Sequence, residues 1–371
     1  MRRTGLGFLL LVLVAVACGD ESASINAERL ASAATMKRAG GRRVIVMTRN
    51  MDAGTDLGPV VNAASVPDLL RAMADTYAEI LGSGIPERAA GIADEIAAWQ
   101  PDLVALQEVT VWRTGPFLQP PANDILFDQL ALLLAELKKR GLEYVPIVVQ
   151  QLADAEAPVP SGFDLRITDE DVILARADVR PSLHLSNAQA HVYRAELVLG
   201  SPVLGTVAVP RSYTSVDIRL RGRSFRFVNT HLESFVPAIQ VAQAEELIAA
   251  LAGSPLPVVL AGDFNANAEP GPDHLPTVDK LLAAGYADAW RAAHPNDPGF
   301  TWPLHGEDPF TAVTGPTERI DLVFTRGPEV LSAERVGARL QDRTASGLWP
   351  SDHAGVVAAL QLDGDEDVDN D

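Results

Sequence analysis

Pro257-Val-Val-Leu-Ala-Gly-Asp-Phe-Asn-Ala-Asn267 is the stretch on which the rest of the chain turns. Val258–Ala261 is a short apolar run rich in β-branched residues, the pattern of a strand buried on both faces. Gly262 ends it where the backbone needs freedom, and Asp263 and Asn265 follow at its carboxyl end. Layered α/β proteins gather ligands and catalytic groups at such strand ends. An acid and an amide buried there are costly unless each finds a metal, a phosphate or a hydrogen-bonded water. A turn capped by Asp and Asn would use the same letters, so the neighbouring segments decide.

Upstream, Ala238–Leu251 reads as a helix. Thr214–Leu220 and Phe225–His231 read as a hairpin around R-G-R-S. Arg219, Arg221 and Arg223 then fall on one side of that hairpin, as a solvated basic stripe. Downstream come a helix at Thr277–Ala284 and strands at Arg319–Thr325, Arg335–Leu340 and Ala354–Leu362. Toward the N-terminus, Val44–Thr48 is a buried strand, and helical periodicity runs from Val66 to Trp99 with a break at Gly82-Ser83-Gly84. Leu103–Leu106 is the next strand, Asp124–Arg140 an amphipathic helix and Glu143–Gln151 a strand. Leu152–Thr168 reads as a surface loop beside the site, Val172–Ala175 and His191–Leu199 as strands, and Pro202–Pro210 as an irregular connection. No repeat of fixed period occurs. The strand–helix–strand material recurs loosely in each half, which suits two packed sheets with helices outside.

The 371 residues carry 30 basic and 49 acidic side chains, a formal charge of −19, which disfavours tight non-specific nucleic-acid binding but not a nuclease with a local cation. Arg2 and Arg3 precede the apolar stretch Leu6–Ala17, too short to span a bilayer comfortably, which ends in A-V-A-C at the only cysteine. This resembles a bacterial lipoprotein signal. The expected organisation is a signal peptide at 1–18 with Cys18 lipidated, a tether at 19–41, one domain at 42–362 and a disordered acidic tail at 363–371. The expected location is a membrane-anchored face of the periplasm or cell exterior, or the medium if the peptide is merely secretory. Without further cysteines the core alone must stabilise the domain.

Five strand-end clusters carry candidate chemistry: Asn50-x-Asp52, Gln107-Glu108, Asn229-Thr230-His231, Asp263-x-Asn265, and Asp321 with Ser351-Asp352-His353. Carboxylates and amide oxygens are hard ligands suited to Mg²⁺ or Mn²⁺. Histidines and an asparagine amide can donate to a phosphoryl group gaining charge. The ordered set N-x-D, Q-E-V, N-T-H-L, G-D-F-N, R-I-D-L-V and S-D-H is similar to that of the endonuclease/exonuclease/phosphatase superfamily, from Asn50 to His353.

The resemblance implies a deoxyribonuclease I-like fold, a four-layer α-β-β-α sandwich of two packed mixed sheets. It implies Glu108 as metal ligand with Asn50, Asp52 and Asp352 around a single Mg²⁺ or Mn²⁺. It implies Asp263 activating water, Asn265 binding water and phosphate, His353 contacting the scissile phosphate with Asp321 orienting it, and His231 as the second phosphate-facing histidine and candidate acid for the leaving oxygen. His184, His191, His274, His294 and His305 match no motif and read as surface or packing residues. The loops Leu152–Thr168 and Pro295–Pro316 are expected to frame the pocket, with Trp302 either lining it or in the core.

The reaction implied is in-line hydrolysis of a phosphodiester or phosphomonoester by a monomer. Ala266-Asn267-Ala268-Glu269 lacks the arginine usual after G-D-F-N in inositol-polyphosphate phosphatases, and export and acidity fit abasic-site repair poorly. Nucleic acid, a phospholipid head group as in sphingomyelinases, and a small phosphoester remain as substrates. The other class of reading is a non-catalytic binding lipoprotein on the same fold.

Overall fold

Aliphatic residues run almost unbroken through β1 (Arg43–Asn50), and every one of its residues is buried. Burial on both faces marks a parallel neighbour, and β1 lies parallel to β2 (Leu103–Pro116) with Asn50 opposite Gln107. The computed structural model describes residues 43–272, 274–306 and 313–362. The expected signal peptide, tether and tail lie outside them.

The crossover from β1 to β2 holds α1 (Gly58–Val61), α2 (Val66–Gly82) and α3 (Ile85–Trp99). Ser65 caps α2 by accepting the Asp68 N–H at 3.3 Å, and Gly84, at φ +64, is the left-handed joint between α2 and α3. On its other edge β1 pairs antiparallel with β15 (Gly355–Gln361), Val44 facing Leu360, and β14 (Glu329–Val336) flanks β15. Beyond β2 come β5 (Phe163–Arg176) and the edge strand β4 (Tyr144–Val159), while β3 (Asp124–Asp128) pairs with the outer half of β2.

The second sheet runs in the order β12 (Ala287–Asp288), β13 (Asp321–Arg326), β11 (Val258–Asp263), β10 (Arg223–His231), β9 (Ser212–Leu220), β6 (Leu183–Val192). Here β10 and β11 are the parallel pair, with His231 directly opposite Asp263. Between the sheets, Val44, Val46, Leu103, Ala105 and Ile173 meet Val216, Ile218, Phe225, Phe227, Val259 and Val323. Each such aromatic or branched side chain contributes about 1.5–3 kcal/mol when fully buried.

The outer face of the second sheet packs on α5 (Pro237–Ala252) and α6 (Pro276–Ala283) through Ala244, Leu247, Leu251, Val278 and Leu281. On the first sheet, Trp112, Leu165 and Ile167 pack on Leu69, Met73 and Ile80 of α2. The result is the expected mixed α/β sandwich of two sheets with helices outside. The remaining helices are α4 (Gln129–Lys139) and α7 (Ala289–Ala293), and none of the described helices is long and apolar enough to cross a membrane.

Several elements differ from expectation. Asp124–Arg140 opens as strand β3; Asp128 then caps α4, its Oδ1 accepting the Ala131 N–H at 2.9 Å, so the helix begins only at Gln129. Leu152–Thr168 is no loop but most of the β4–β5 hairpin, with Asp154 facing Thr168 and Val159 facing Phe163. Its Pro-rich half lies on an edge strand, where proline need not break a ladder. Arg335–Leu340 is displaced to the earlier β14, which stops at Gly337 (φ +75). His191–Leu199 straddles the gap between β6 and β7 (Leu197–Ser201). Pro202–Pro210 holds the turn and the return strand β8 (Gly205–Val209) of a small hairpin. The arginine stripe is broken as well, because Arg221 folds back to donate to the Arg43 carbonyl (2.5 Å) and to Asp102 Oδ1 (3.1 Å).

Candidate active site

Strand ends of both sheets converge on one group of side chains. Asn50 ends β1, His231 and Asp263 end β10 and β11, and Asp321 opens β13 opposite Asp263. Glu108 sits at the register shift of β2 between Leu106 and Val109, at φ +54, where a bulge re-aims the side chain. Ser351–His353 belong to the segment before β15.

Gly262 is required by proximity rather than by backbone freedom: a Cβ there would stand 2.0 Å from the Thr230 carbonyl oxygen. The positive φ, +48, falls at Asn265 instead. Below the site, Asn229 joins the sheets. It accepts from Gln107 Nε2 at 2.7 Å and donates to the carbonyls of Leu106 (2.9 Å) and Val172 (3.2 Å).

Asn50 Nδ2 donates to Glu108 Oε1 and to Asp263 Oδ2, each at 3.0 Å, and so ties the two sheets' carboxylates together. Asp263 Oδ1 accepts the Asn265 N–H at 2.9 Å, while Asn265 Nδ2 donates to the Leu232 carbonyl. Asp263 Oδ2 lies 3.7 Å from Nε2 of both His231 and His353. His353 Nδ1 is 2.9 Å from Asp321 Oδ2, and its Nε2 is 3.8 Å from Asp352 Oδ2.

The electrostatics separate these groups. Burial pushes Asp263 up to about 6 against the pull of His353. Burial also opposes charging of His353, but Asp321, Asp352 and Asp263 outweigh it and hold the imidazole well above its usual range. Burial, then Asp352, raises Glu108. His231 goes the other way: burial and then Arg211 hold it well below the usual histidine range, as a neutral ring.

The structure brings Asn50, Glu108, Asp263, His231, His353 and Asp321 into direct contact or near contact. Asp52 stands one step out. Its Oδ1 accepts the Gly54 N–H at 2.7 Å and its Oδ2 pairs with Arg88. Burial resists its ionisation, yet Arg88 and His305 hold the carboxyl well below the carboxylate range. Asp352 Oδ2 accepts from Trp302 Nε1 at 3.1 Å, which places Trp302 against the site rather than in the general core.

Three groups escaped the sequence reading. Arg211 lies at the strand end preceding β9, with Nη1 3.1 Å and 2.9 Å from the two ring nitrogens of His231. Because guanidinium only donates, the imidazole must accept. The adjacency of β9 and β10 in the hairpin, with Ser212 opposite His231, was the available signal. Asp171, buried on β5, stands 3.9 Å from His231 Nδ1. His305, read as a surface or packing residue, is buried with Nε2 3.4 Å from Asp52 Oδ2.

Behind the site, Arg49 makes a bidentate pair with Glu95, at 2.9 and 3.0 Å, and donates to the His353 carbonyl. Arg49 thereby locks β1 to the segment that carries the histidine.

The donor set fits a hard divalent cation. Asp352 and, more weakly, Asp52 add to the burial that raises Glu108, an excess of negative charge that a cation would relieve.

The sequence profile of the Endonuclease/Exonuclease/phosphatase family matches residues 79–353. Among solved structures, D. rerio TDP2 complexed with single strand DNA product has a TM-score of 0.52 at 17% identity, over 86% of this chain and 99% of that one. An endonuclease/exonuclease/phosphatase family protein from Bacteroides thetaiotaomicron has a TM-score of 0.51 at 18% identity, over 87% and 98%. An endonuclease/exonuclease/phosphatase from Bacteroides vulgatus has a TM-score of 0.51 at 18% identity, over 86% and 99%. No curated protein matches the chain significantly. A profile spanning most of the domain, on a sandwich shared with these structures, means that the chain belongs to the endonuclease/exonuclease/phosphatase family, whose members are hydrolases acting on phosphoester bonds.

Proposed function

We propose that the protein is a divalent-metal-dependent phosphoesterase that cleaves a phosphodiester, or a phosphomonoester, by in-line attack of water. The observation that carries this reading is Asp263 Oδ2 set 3.7 Å from two imidazoles of opposite electrostatic character. Glu108, Asp352 and Asn50, with Asp52 beside them, would hold the ion, Mg²⁺ or Mn²⁺, which supplies Lewis acidity at the phosphoryl oxygen.

The chain's own groups do the rest. Asp263, held by Asn50 and the Asn265 N–H, accepts the proton of the attacking water. Asp321 fixes the charged His353 ring by Nδ1, which leaves Nε2–H to donate to the phosphoryl oxygen as charge builds there. As the water's oxygen bonds to phosphorus the bond to the leaving oxygen breaks, and that oxygen departs with its charge offset by Arg211 and takes a proton from solvent, while the neutral His231 beside Arg211 serves as an acceptor rather than as an acid.

The N-terminal segment, with Cys18 as its lipid attachment point, would export the domain to a membrane surface. Labelled palmitate incorporated by the wild type and lost in Cys18→Ala tests that part.

The decisive assay is nicking of supercoiled plasmid in Mg²⁺ or Mn²⁺, with His353→Ala and a chelator beside it. Loss of His353 should cost at least ~10²-fold in turnover. Nicking would make the protein a nuclease. Head-group release from phospholipid or sphingomyelin vesicles, or cleavage of bis-p-nitrophenyl phosphate alone, would move the substrate elsewhere. No hydrolysis of any of these by folded protein would sink the proposal.

A further inference from the structure

Beyond Glu108, β2 runs on to Pro116, which carries its end about 25 Å past that residue along the strand. The turn it reaches, Pro116–Pro121, reads P-F-L-Q-P-P, and every residue of it is exposed. Phe117 is 43% exposed and Leu118 65%, and Ile125 on the return strand β3 is exposed as well. From Thr114 to Asn123 there is no charged residue, in a chain where such residues make up 21%. Neither the core nor solubility accounts for an apolar, uncharged projection on so acidic a protein.

The turn is built to hold its shape. Gly115 lies so close to the returning chain that a Cβ would stand 2.6 Å from the Ala122 Cα. Asp164, buried on β5, accepts the Gln119 N–H at 3.1 Å, and Glu156 on β4 accepts the Ala122 N–H at 2.9 Å. Leu118 sits at φ +54, where glycine or asparagine is the ordinary occupant. Two carboxylates and a strained backbone position thus present Phe117 and Leu118 to the outside rather than to the core.

The backbone of the turn indicates what it meets. Pro116, Pro120 and Pro121 have no N–H, and those of Gln119 and Ala122 are satisfied within the chain. A strand-adding peptide needs free backbone donors. A hydrocarbon medium requires the opposite, that donors be missing or already bonded. Charge selects among lipids: a formal charge of −19 is repelled by anionic head groups, while an uncharged turn can enter an electroneutral surface.

We propose that the β2–β3 turn, with Phe117 and Leu118 at its tip, is a membrane-docking surface that dips into an electroneutral lipid surface such as phosphatidylcholine. The docking does not depend on the phosphoesterase reading, although it would turn the strand-end face of the domain toward the membrane.

The test places a spin label on the turn. Every sample is the full chain with Cys18→Ala, so that an introduced cysteine is the only thiol. A nitroxide is attached at Leu118→Cys and, as a control, at Leu282→Cys, an exposed position on α6 over the other sheet. Phosphatidylcholine vesicles should cut collisions of the 118 label with a water-soluble nickel chelate by about threefold or more, and leave the 282 label nearly as it is in buffer. Phe117→Asp should return the 118 label to its value in buffer. Phe117→Cys serves as a second labelling position, and thermal melts establish that each labelled chain is folded.

A 118 label equally accessible with and without vesicles would overturn the proposal. So would protection given by phosphatidylserine vesicles alone. Protection without vesicles that grows with protein concentration would make the turn a contact between copies and overturn it too. No step needs turnover, so hydrolysis of bis-p-nitrophenyl phosphate by the same samples tests the reaction separately and should be unchanged by Phe117→Asp. Label protection without hydrolysis leaves the docking surface and removes the reaction; hydrolysis with an unprotected label does the reverse.

Discussion

Adding one methyl group at Gly262 should disable the site without touching any of its functional groups. In Gly262→Ala the new carbon would start 2.0 Å from the Thr230 carbonyl oxygen, and real Cβ contacts stay beyond 3.0 Å, so β10 and β11 must part by about 1 Å. Neither strand can yield alone. Thr230 and Gly262 are register partners inside a parallel pair, and Val228, Leu260 and Phe324 are packed against the helices behind them. The displacement falls one residue before the His231–Asp263 pair, whose 3.7 Å approach bridges the same two strands.

A misplacement of ~1 Å in a catalytic constellation costs about 10²-fold in turnover, and overpacking of this kind costs about 1–3 kcal/mol in stability. The assay is kcat on the phosphoester that the wild type cleaves, with a urea melt to show that the variant is folded. Gly253→Ala, where an added Cβ meets nothing within 4 Å, is the matched control and should behave as wild type. A folded Gly262→Ala with kcat within about threefold of wild type would refute the close-approach argument.

Since Asp263 must be a carboxylate to take a proton, and burial raises it to about 6, activity should rise with pH through about 6; His353 lowers Asp263, so in His353→Gln the acid limb of residual activity should move to higher pH. A pH–rate profile of both forms reads this, and an unmoved limb would count against Asp263 as the base. Arg211→Gln should let His231 titrate closer to an ordinary histidine and reduce kcat/KM by about 10–10²-fold, read by imidazole NMR and steady-state kinetics. Arg49→Met leaves Glu95 without its bidentate partner and should destabilise the domain by about 3–5 kcal/mol in urea melts; adding Glu95→Leu should recover most of that loss.

The legible parts of the chain were those where a single local pattern sufficed. Val258–Ala261 and Val44–Thr48 are strands because apolar residues fill both faces, and the α2–α3 break follows from Gly82-Ser83-Gly84. The strand-end clusters were visible because each places polar residues at one end of an apolar run, after it for Asn50, Glu108, His231 and Asp263 and before it for Asp321 and His353. The β4–β5 hairpin was not legible, since an edge strand carries Pro, Ala and Asp as readily as a loop does. Asp128 was hidden inside an apparent helical repeat, although an aspartate three residues before an amide is itself a capping signal. Arg211 and His305 could not be placed by motif. Their roles arise from pairings across the hairpin and across the gap between residues 52 and 305, which only the folded chain supplies.

The antiparallel pairing of β1 with β15 has a consequence for the order of events in synthesis. The first strand of the domain waits for a partner made at the very end of it, and His353 is delivered by the segment that leads into that last strand. While the residues between Asp263 and His353 are being made, the nascent chain therefore holds Glu108 and Asp263 but lacks both the closing strand and the imidazole. Contacts this distant in sequence also form late in folding. A phosphoesterase built this way would remain inert until its last strand arrived.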